Sequence, residues 1–344
     1  MLSTLFHGLR GERVRASQQF AEGRFQNPGG VTPDLQGPKL KLVGEYFRDQ
    51  AAREPRVALP VQDPRDAWGQ APESGLRITW LGHSTVLVEL AGLRVLTDPV
   101  FGMRASPVSF AGPKRFHPPP VPLASLGPID VVLLSHDHFD HLCDESIRTL
   151  ARTSAWFVTS LGVGARLEAL GVAHERLREL DWWESANIPD GRLCFTATPA
   201  QHFSGRSLLD RNRTLWSSWV LSSDKHRVFF SGDTGLTPVF REIGAKCGPF
   251  DVTMLEVGAF HRSWGSIHLG PDNAVDAFHM LGGGLLLPVH WGTFNLALHP
   301  WQEPAEVVFE RAERDGLRVA MPPPGGSFEP SRTEKPTPWW RGLR

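Results

Sequence analysis

Four metal-binding side chains lie within six residues of this chain, directly after a run of apolar residues. Residues 129–134 are mostly apolar and predict a buried strand. The next seven residues read Ser-His-Asp-His-Phe-Asp-His. A strand that ends and turns here points alternate side chains to one side, so His136 and His138 can share one ion. Asp140 and His141 lie beyond the turn and point toward a neighbouring position. The pattern therefore predicts two adjacent metal sites at the end of a buried strand.

The chemistry of these donors limits the choice of metal. Imidazole and carboxylate ligands favour zinc, with iron or manganese as alternatives. A solvated, histidine-rich loop is the other interpretation of such a tract. Loops of that kind are usually polar throughout, whereas this one follows a hydrophobic strand. We therefore expect two divalent metal ions, with zinc as the first choice.

Two metal ions need more donors than one short motif supplies, and three later segments provide them. Each is an apolar run, predicting a strand, that ends in a histidine or an aspartate. His202 follows one such strand, and His290 follows another. Asp233 ends a third and is flanked by glycines, and its two carboxylate oxygens can each face one ion. We expect these three residues to complete the metal centre.

The order of the predicted elements favours an α/β fold. Predicted strands cover 76–81, 85–90, 93–97, 156–159, 192–198, 215–221, 227–231, 252–256 and 284–288, and predicted helices cover 144–152, 162–170, 238–245, 272–281 and 304–315. Two β-rich halves that each carry helices predict a four-layer αββα sandwich. We place this domain at residues 76–320, with an N-terminal extension, residues 1–75, packed on it and a C-terminal tail, residues 321–344. The extension includes a plausible helix at 41–53.

Composition excludes several classes of protein. Lys and Arg number 36 against 37 for Asp and Glu, so no overall field favours nucleic acid. The three cysteines, Cys143, Cys194 and Cys247, are too few and too scattered for a disulfide framework and suggest a reducing compartment. Residues 1–30 lack the apolar core of a signal peptide, and no apolar run is long enough to span a bilayer. We expect a cytoplasmic protein.

Peripheral membrane contact remains an alternative for the N-terminal segment. Leu2, Leu5, Phe6 and Leu9 lie near several arginines and could form an amphipathic patch on a membrane surface. The favoured interpretation is a helix that packs on its own domain. A long loop at 100–128, rich in proline and phenylalanine, is a second segment of interest, because loops of this length are usually functional.

The set of candidate ligands, in this order and spacing, resembles the metallo-β-lactamase superfamily over roughly residues 76–300. Further segments are similar to the N-acyl-phosphatidylethanolamine-hydrolysing phospholipase D family: Trp80–Thr85, Leu96–Phe101, Pro199–Arg206, Leu215–Trp219 and His290–Phe294. The resemblance implies a hydrolase that releases N-acylethanolamine and phosphatidic acid from a membrane lipid. One segment departs from the family pattern. At 258–271 the usual Tyr is Phe260 and a Met is missing, although His268 is retained, so substrate specificity is expected to depend on this segment.

Five residues receive predicted roles in or around the reaction. Asp140 and His268 are the predicted catalytic residues, with His268 acting as a general acid or as a partner for an oxyanion. Asp98 ends a strand and is expected to orient a metal-binding histidine. His83 lies in a turn at the same edge and is expected to contact substrate or support a ligand. Arg206 is a candidate for contacting a phosphate, although a solvated loop arginine is an equal alternative.

The leading hypothesis is a di-metal phosphodiesterase that acts through a hydroxide held between the two ions. Its expected substrate is a phospholipid similar to N-acyl-phosphatidylethanolamine, and the loop at 100–128 and the tryptophans are expected to line a path for the acyl chains. The alternative is a lactonase or cyclic phosphodiesterase that acts on a small soluble metabolite. A non-hydrolytic di-iron or scaffold role is disfavoured, because the predicted ligand set is complete and the residues after 300 are too few for a flavin-binding domain.

Overall fold

A computed structural model describes residues 7–32 and 52–343, except 189, 208, 262 and 265. The helices of this part of the chain are α1 (Gly8–Ala16), α2 (Arg65–Trp68), α3 (Asp144–Leu150), α4 (Gly164–Ala169), α5 (Val239–Cys247), α6 (Gly270–Met280) and α7 (Glu303–Asp315). The strands are β1 (Phe20–Ala21), β2 (Arg24–Phe25), β3 (Leu76–Gly82), β4 (Thr85–Leu90), β5 (Leu93–Thr97), β6 (Val131–Leu134), β7 (Trp156–Ser160), β8 (Leu177–Leu180), β9 (Ser185–Ile188), β10 (Leu193–Thr198), β11 (Ser218–Ser222), β12 (Arg227–Phe230), β13 (Val252–Glu256), β14 (Leu285–Val289) and β15 (Ser327–Phe328).

Two mixed sheets form the centre of the molecule. Among the described residues, one sheet has seven strands in the order β15-β3-β4-β5-β6-β7-β8, and the other has six in the order β14-β13-β12-β11-β10-β9. The four neighbouring strands β5, β6, β7 and β8 are parallel to one another, and so are β12, β13 and β14. Parallel strands covered on both faces are continuous apolar runs. This explains why β6 and β14, which are buried along their whole length, show no polar alternation.

Side chains on the two faces of β6 enter different hydrophobic clusters. Val131 and Leu133 pack in the large core between the sheets, together with β10–β14 residues such as Phe195 and Phe229. Val132 and Leu134 face outward and pack with residues of α3 and α4. The helices α5, α6 and α7 cover the outer face of the second sheet in the same way. The structure therefore has four layers, and the predicted αββα sandwich is confirmed.

The two terminal segments both contact the domain. Val14 of α1 and Phe25 of β2 pack against Trp216. After residue 320, β15 pairs with β3, and Trp340 is buried in the main core, so this segment is more than a tail. The domain boundaries at 75 and 320 stay a prediction. The predicted helix at 41–53 lies almost wholly outside the described residues, as do three members of the predicted amphipathic patch, Leu2, Leu5 and Phe6; the fourth, Leu9, is exposed on α1.

No helix within the described residues is long and apolar enough to cross a bilayer.

Candidate metal centre

The candidate ligands meet at one edge of the two sheets. The motif of residues 136–141 follows β6, and His202, Asp233 and His290 follow β10, β12 and β14. His290 leaves its strand with a φ angle of 64°, in the left-handed region that a residue with a side chain rarely adopts. The chain therefore turns sharply where the strand ends, which points the ligand at the edge of the sheet instead of continuing the ladder.

The first donor set consists of His136, His138, His202 and Asp233, whose ligand atoms lie within 4.8 Å of one another. His138 Nδ1 lies 2.9 Å from His136 Nε2 and 3.3 Å from His202 Nε2. Asp233 Oδ2 lies 3.8 Å from His136 Nε2 and 3.6 Å from His202 Nε2. Three imidazoles and one carboxylate thus converge on one point, and two of them, His136 and His138, are the pair that the sequence analysis expected to share one ion.

The second donor set consists of Asp140, His141, His290 and His83. Asp140 Oδ2 lies 3.2 to 3.4 Å from a ring nitrogen of each of the three histidines. Asp233 also reaches this set, because its Oδ2 is 3.1 Å from His141 Nε2 and its Oδ1 is 3.2 Å from His290 Nε2. Asp233 therefore lies between the two sets, where a carboxylate can serve both ions.

The buried donors fit two divalent cations. His141 Nε2 and Asp233 Oδ1 are both buried, and neither has a hydrogen-bond partner of good geometry among the described residues. Buried polar atoms are nearly always paired, because leaving one unpaired costs about 1–3 kcal/mol. Two buried ligand atoms without such a partner therefore fit a site that binds a cation. His136 Nε2 and His138 Nδ1, which face each other at 2.9 Å, fit the same explanation.

The electrostatics of the centre agree with cation binding. Burial alone raises the pKa of Asp233, but the nearby His141 and His290 lower it well below the usual range, so the carboxylate is ionised. Burial also opposes protonation of His290, yet the charge on Asp233 raises the pKa of His290 to about 10. By contrast, burial and the charge on His290 lower the pKa of His83 to about 3. The field of the carboxylates attracts positive charge to the second donor set.

Hydrogen bonds behind the ligands fix the orientation of the histidine rings. His141 Nδ1 donates to Asp98 Oδ2 at 2.7 Å, and Asp98 is fully buried. His136 Nδ1 donates to Ser135 Oγ at 2.9 Å, and that hydroxyl donates to Asp98 Oδ2 at 2.6 Å. His202 Nδ1 donates to a backbone carbonyl, Ile267 O, at 2.9 Å. Such bonds set which ring nitrogen faces a bound metal. Asp98 contacts the candidate ligand His141, and its role in orienting that ring stays a prediction.

His268 lies beside the centre and pairs with a residue that the sequence analysis missed. Its Nδ1 is 2.9 Å from Oε2 of Glu256, the last residue of β13, and its ring centroid is 5.0 Å from that of His202. Burial lowers the pKa of His268, but the charge on Glu256 raises it above the ordinary histidine value. The signal was present in the sequence, because Glu256 ends an apolar strand just as the candidate ligands do.

Arg206 does not join the metal centre. Its guanidinium forms an ion pair with Asp144 at 2.8 Å and stacks on the ring of Phe139 at 3.9 Å. The side chain lines a cleft of about 330 Å³. Phe139, which lies between the candidate ligands His138 and Asp140 in the sequence, lines the same cleft. Arg206 therefore lies in this cleft and not at the metal centre, and its contact with a phosphate stays a prediction.

Two other residues near the motif have structural contacts. Asp137 points away from the ligands and is buried, where it accepts hydrogen bonds from Arg166, Gly205 and Thr214. Cys143 is buried at the start of α3 and packs with apolar neighbours.

Comparison with known proteins agrees with this fold and site. A family model described as "Beta-lactamase superfamily domain" matches residues 93–291. An uncharacterized protein of Mycobacterium tuberculosis, Rv0906, is 44% identical over 333 residues, which cover 94% of this chain and 88% of that protein. Among solved structures, the metallo hydrolase Igni18 from Ignicoccus hospitalis has a TM-score of 0.57 at 24% identity and covers 74% of this chain and 98% of its own.

The chain belongs to the β-lactamase superfamily and is a metal-dependent hydrolase with the metallo-β-lactamase fold. Another relative has a name that states a particular activity. The N-acyl-phosphatidylethanolamine-hydrolyzing phospholipase D 1 of Caenorhabditis elegans is 40% identical over 235 residues, which cover 65% of this chain and 66% of the worm protein.

Proposed function

We propose that this protein hydrolyses a phosphodiester, and that its substrate is a phospholipid similar to N-acyl-phosphatidylethanolamine. The observation that carries the proposal is the pair of donor sets with Asp233 between them. A cleft lined by Phe139 borders the motif that supplies four of these residues. The similarity to the worm phospholipase supports the choice of lipid.

Two divalent cations fit the donor sets, and we infer that they are zinc, because histidine and carboxylate ligands suit that ion. His136, His138 and His202 would hold the first ion, Asp140, His141 and His290 the second, and Asp233 both. Such ions, when bound, lower the pKa of water toward neutrality and neutralise the charge of a phosphoryl group.

The protein's own residues supply orientation and a proton donor. His268 uses Nδ1 to bond Glu256, which leaves Nε2 as the ring nitrogen available to a substrate. We infer that Nε2 donates a proton to the leaving oxygen or stabilises its charge. His83 Nε2 lies 3.2 Å from Asp140 Oδ2, so we infer that it holds the Asp140 carboxylate in position.

The surroundings of the cleft support a lipid substrate and contact with a membrane surface. Met103 lines the cleft and is half exposed, and Phe110 on the same loop is 82% exposed. Leu209, three residues after the cleft residue Arg206, is 84% exposed. Large apolar side chains on two segments that border the cleft suit insertion between lipid molecules, with Arg206 available to a phosphate.

A small soluble substrate is the second candidate, and one contact favours it. Gln201 Nε2 donates hydrogen bonds to Ser266 O and Oγ at 2.7 and 2.8 Å, which holds the segment 258–271 beside the centre. Phe260 of this segment stacks on His299. We infer that a segment fixed in this way limits access to the centre, which suits a small substrate such as a lactone or a cyclic phosphodiester.

Turnover of micellar N-acyl-phosphatidylethanolamine beside a panel of lactones and cyclic phosphodiesters tests both candidates. The zinc-loaded protein is expected to release phosphatidic acid, to lose this activity on chelation and to regain it with added zinc. Rapid turnover of a soluble substrate without lipid cleavage would favour the second candidate. Protein that binds two equivalents of zinc and cleaves no member of either class would contradict both.

A further inference from the structure

Glu256 is a fully buried acidic residue that accepts hydrogen bonds from three directions. Its Oε1 accepts from the backbone N–H groups of Thr234 and Leu269, both at 3.0 Å. Its Oε2 accepts from His268 Nδ1 at 2.9 Å. Thr234 directly follows Asp233, and Leu269 directly follows His268. One carboxylate therefore fixes the segments that carry the central candidate ligand and the candidate proton donor.

The order of the strands also places Glu256 next to His290. Strand β13 lies between β12 and β14, and Glu256 pairs in register with Val289, the residue before His290. The distance from Glu256 Oε2 to His290 Nδ1 is 4.0 Å. His290 Nδ1 is buried and has no hydrogen-bond partner among the described residues. The unpaired nitrogen thus faces a carboxylate oxygen at a distance that a small ring rotation or a bridging water closes.

The chemistry of a metal-bound imidazole supplies the reason for this arrangement. His290 Nε2 faces Asp140 and Asp233, so Nε2 is the atom that binds a cation. A neutral imidazole that binds metal through Nε2 carries its proton on Nδ1. That proton needs an acceptor, and metal-binding histidines usually donate it to a carboxylate or a carbonyl.

We propose that Glu256 is a shared positioning residue that holds both His290 and His268 with Nε2 toward the reacting atoms. In the metal-loaded protein its Oε2 accepts the Nδ1–H of both rings, which couples binding of the second cation to the orientation of the candidate proton donor. The inference rests on the proposed function, since it requires a cation at the second donor set. Nothing in the sequence motif of residues 136–141 points to this role.

The substitution Glu256→Gln separates this role from simple support of the fold. The Gln side-chain oxygen keeps accepting from Thr234 and Leu269, so both backbone contacts are retained. The amide nitrogen replaces Oε2 and donates instead of accepting, so neither histidine Nδ1–H has its acceptor. Glu256→Asp is the complementary variant, because it keeps an acceptor but shortens its reach.

Glu179→Gln is a closely matched control. Glu179 Oε1 accepts from the backbone N–H groups of Gly162 and Gly164 at 2.8 and 3.0 Å, and Oε2 accepts from Arg10 at 2.6 Å. Its side chain is 8% exposed. It therefore has the same pattern of two backbone donors and one side-chain donor, but it belongs to neither donor set.

The test measures zinc affinity by competition with a chelator, kcat and KM on the most active substrate, and the ¹⁵N imidazole spectrum of the full-length protein. In Glu256→Gln we expect the affinity for one of two zinc ions to fall about 10- to 100-fold. We expect kcat to fall by a similar factor while KM changes little, because the substrate contacts themselves remain. Glu179→Gln is expected to match the wild type in all three measurements.

The spectrum of the wild-type protein tests the inference even if a variant fails to fold. With zinc bound, both His268 and His290 are expected to carry their proton on Nδ1. A proton on Nε2 of His268, or unchanged zinc affinity and kcat in Glu256→Gln, would overturn the inference and leave the proposed function standing. Wild-type protein that binds no zinc would overturn both.

Discussion

The two donor sets have similar side chains but different supports. In the first set, His202 donates its outer proton to a backbone carbonyl, and His136 donates to the hydroxyl of Ser135. In the second set, His141 donates directly to the buried carboxylate of Asp98. A carboxylate behind a histidine makes the imidazole a stronger ligand. We therefore expect the second cation to be held more tightly, and to depend more on residues outside the set.

Backbone conformation also distinguishes the second donor set from the first. His83 and His290, both of the second set, and Asp98, which supports it, have φ angles of 54°, 64° and 32°. Each such conformation costs on the order of 1 kcal/mol or more and persists only where the surroundings impose it. The hydrogen bond from His290 N to His83 O at 3.1 Å is part of these surroundings. The second set is thus a preorganised site held by strained turns.

Removal of the residue between the two sets is expected to have the largest effect. Asp233→Ala removes the carboxylate that both donor sets share, which would take one ligand from each proposed ion. Charge stabilisation by the metals is worth several kcal/mol, so we expect a loss of roughly 10³-fold or more in kcat/KM. Metal analysis and steady-state kinetics on the same preparation check this. A variant that keeps two ions and a near-normal rate would show that Asp233 does not serve both sets.

Asp98→Asn is expected to weaken the second set selectively. Its side-chain oxygen still accepts from the Ser135 N–H, whereas its amide nitrogen no longer accepts from His141 Nδ1 or from the Ser135 hydroxyl. The first set is affected less, because that hydroxyl still accepts from His136 Nδ1. Loss of such a support reduces metal affinity or activity by about 10- to 100-fold. Chelator competition should therefore show one weakened ion and one nearly unchanged. Ser135→Ala, which removes the neutral support of His136, is the comparison and should have a smaller effect; equal effects would contradict the asymmetry.

A smaller loss of activity is expected from His83→Ala. The substitution removes the ring nitrogen that lies 3.2 Å from Asp140 Oδ2. A hydrogen bond to a charged group is worth about 1.5–3 kcal/mol, so we expect roughly a tenfold or greater fall in kcat with both ions retained. His117→Ala is the control, because His117 is buried nearby but contacts Pro118 O and Thr293. Loss of one ion in His83→Ala would instead identify His83 as a ligand.

Strands with continuous apolar runs were predictable, and short or mixed strands were not. The prediction for β13 matches its observed ends because the run is bounded by charged residues on both sides. The prediction for β11 began at Leu215, but Leu215 and Ser217 donate their backbone N–H groups to Leu161 and Ser135 and not to a neighbouring strand of the same sheet. Strands β8 and β9 were missed, because edge strands of four residues with exposed positions give little periodic signal.

Prediction of the site from the sequence has the same limit. The proximity of the candidate ligands His136 and His138 could be predicted from the motif, because alternation along an extended segment places both side chains on one side. Glu256 could have been noticed as an acidic residue that ends an apolar strand. Its contacts could not be predicted, because they depend on β13 lying between β12 and β14, and strand order is not encoded in local periodicity. The placement of Arg206 against Phe139 and Asp144 likewise depends on contacts between segments distant in sequence.

The smallest effect is expected from a change that reaches neither donor set. Phe110→Ser removes an apolar side chain that is 82% exposed on the loop bordering the cleft. Burying such a side chain in a membrane surface contributes at most about 1.5–3 kcal/mol, so partial insertion predicts a fall of about tenfold or less in affinity for lipid vesicles. Zinc content and turnover of a soluble substrate should stay unchanged, because the ligands and their supports are untouched. Vesicle sedimentation and kinetics on both substrate forms check this. An equal loss of turnover on soluble and vesicle substrates would mean that the loop acts on the metal centre itself. It would then be wrong to treat the metal centre and the apolar loop beside the cleft as separate functional parts.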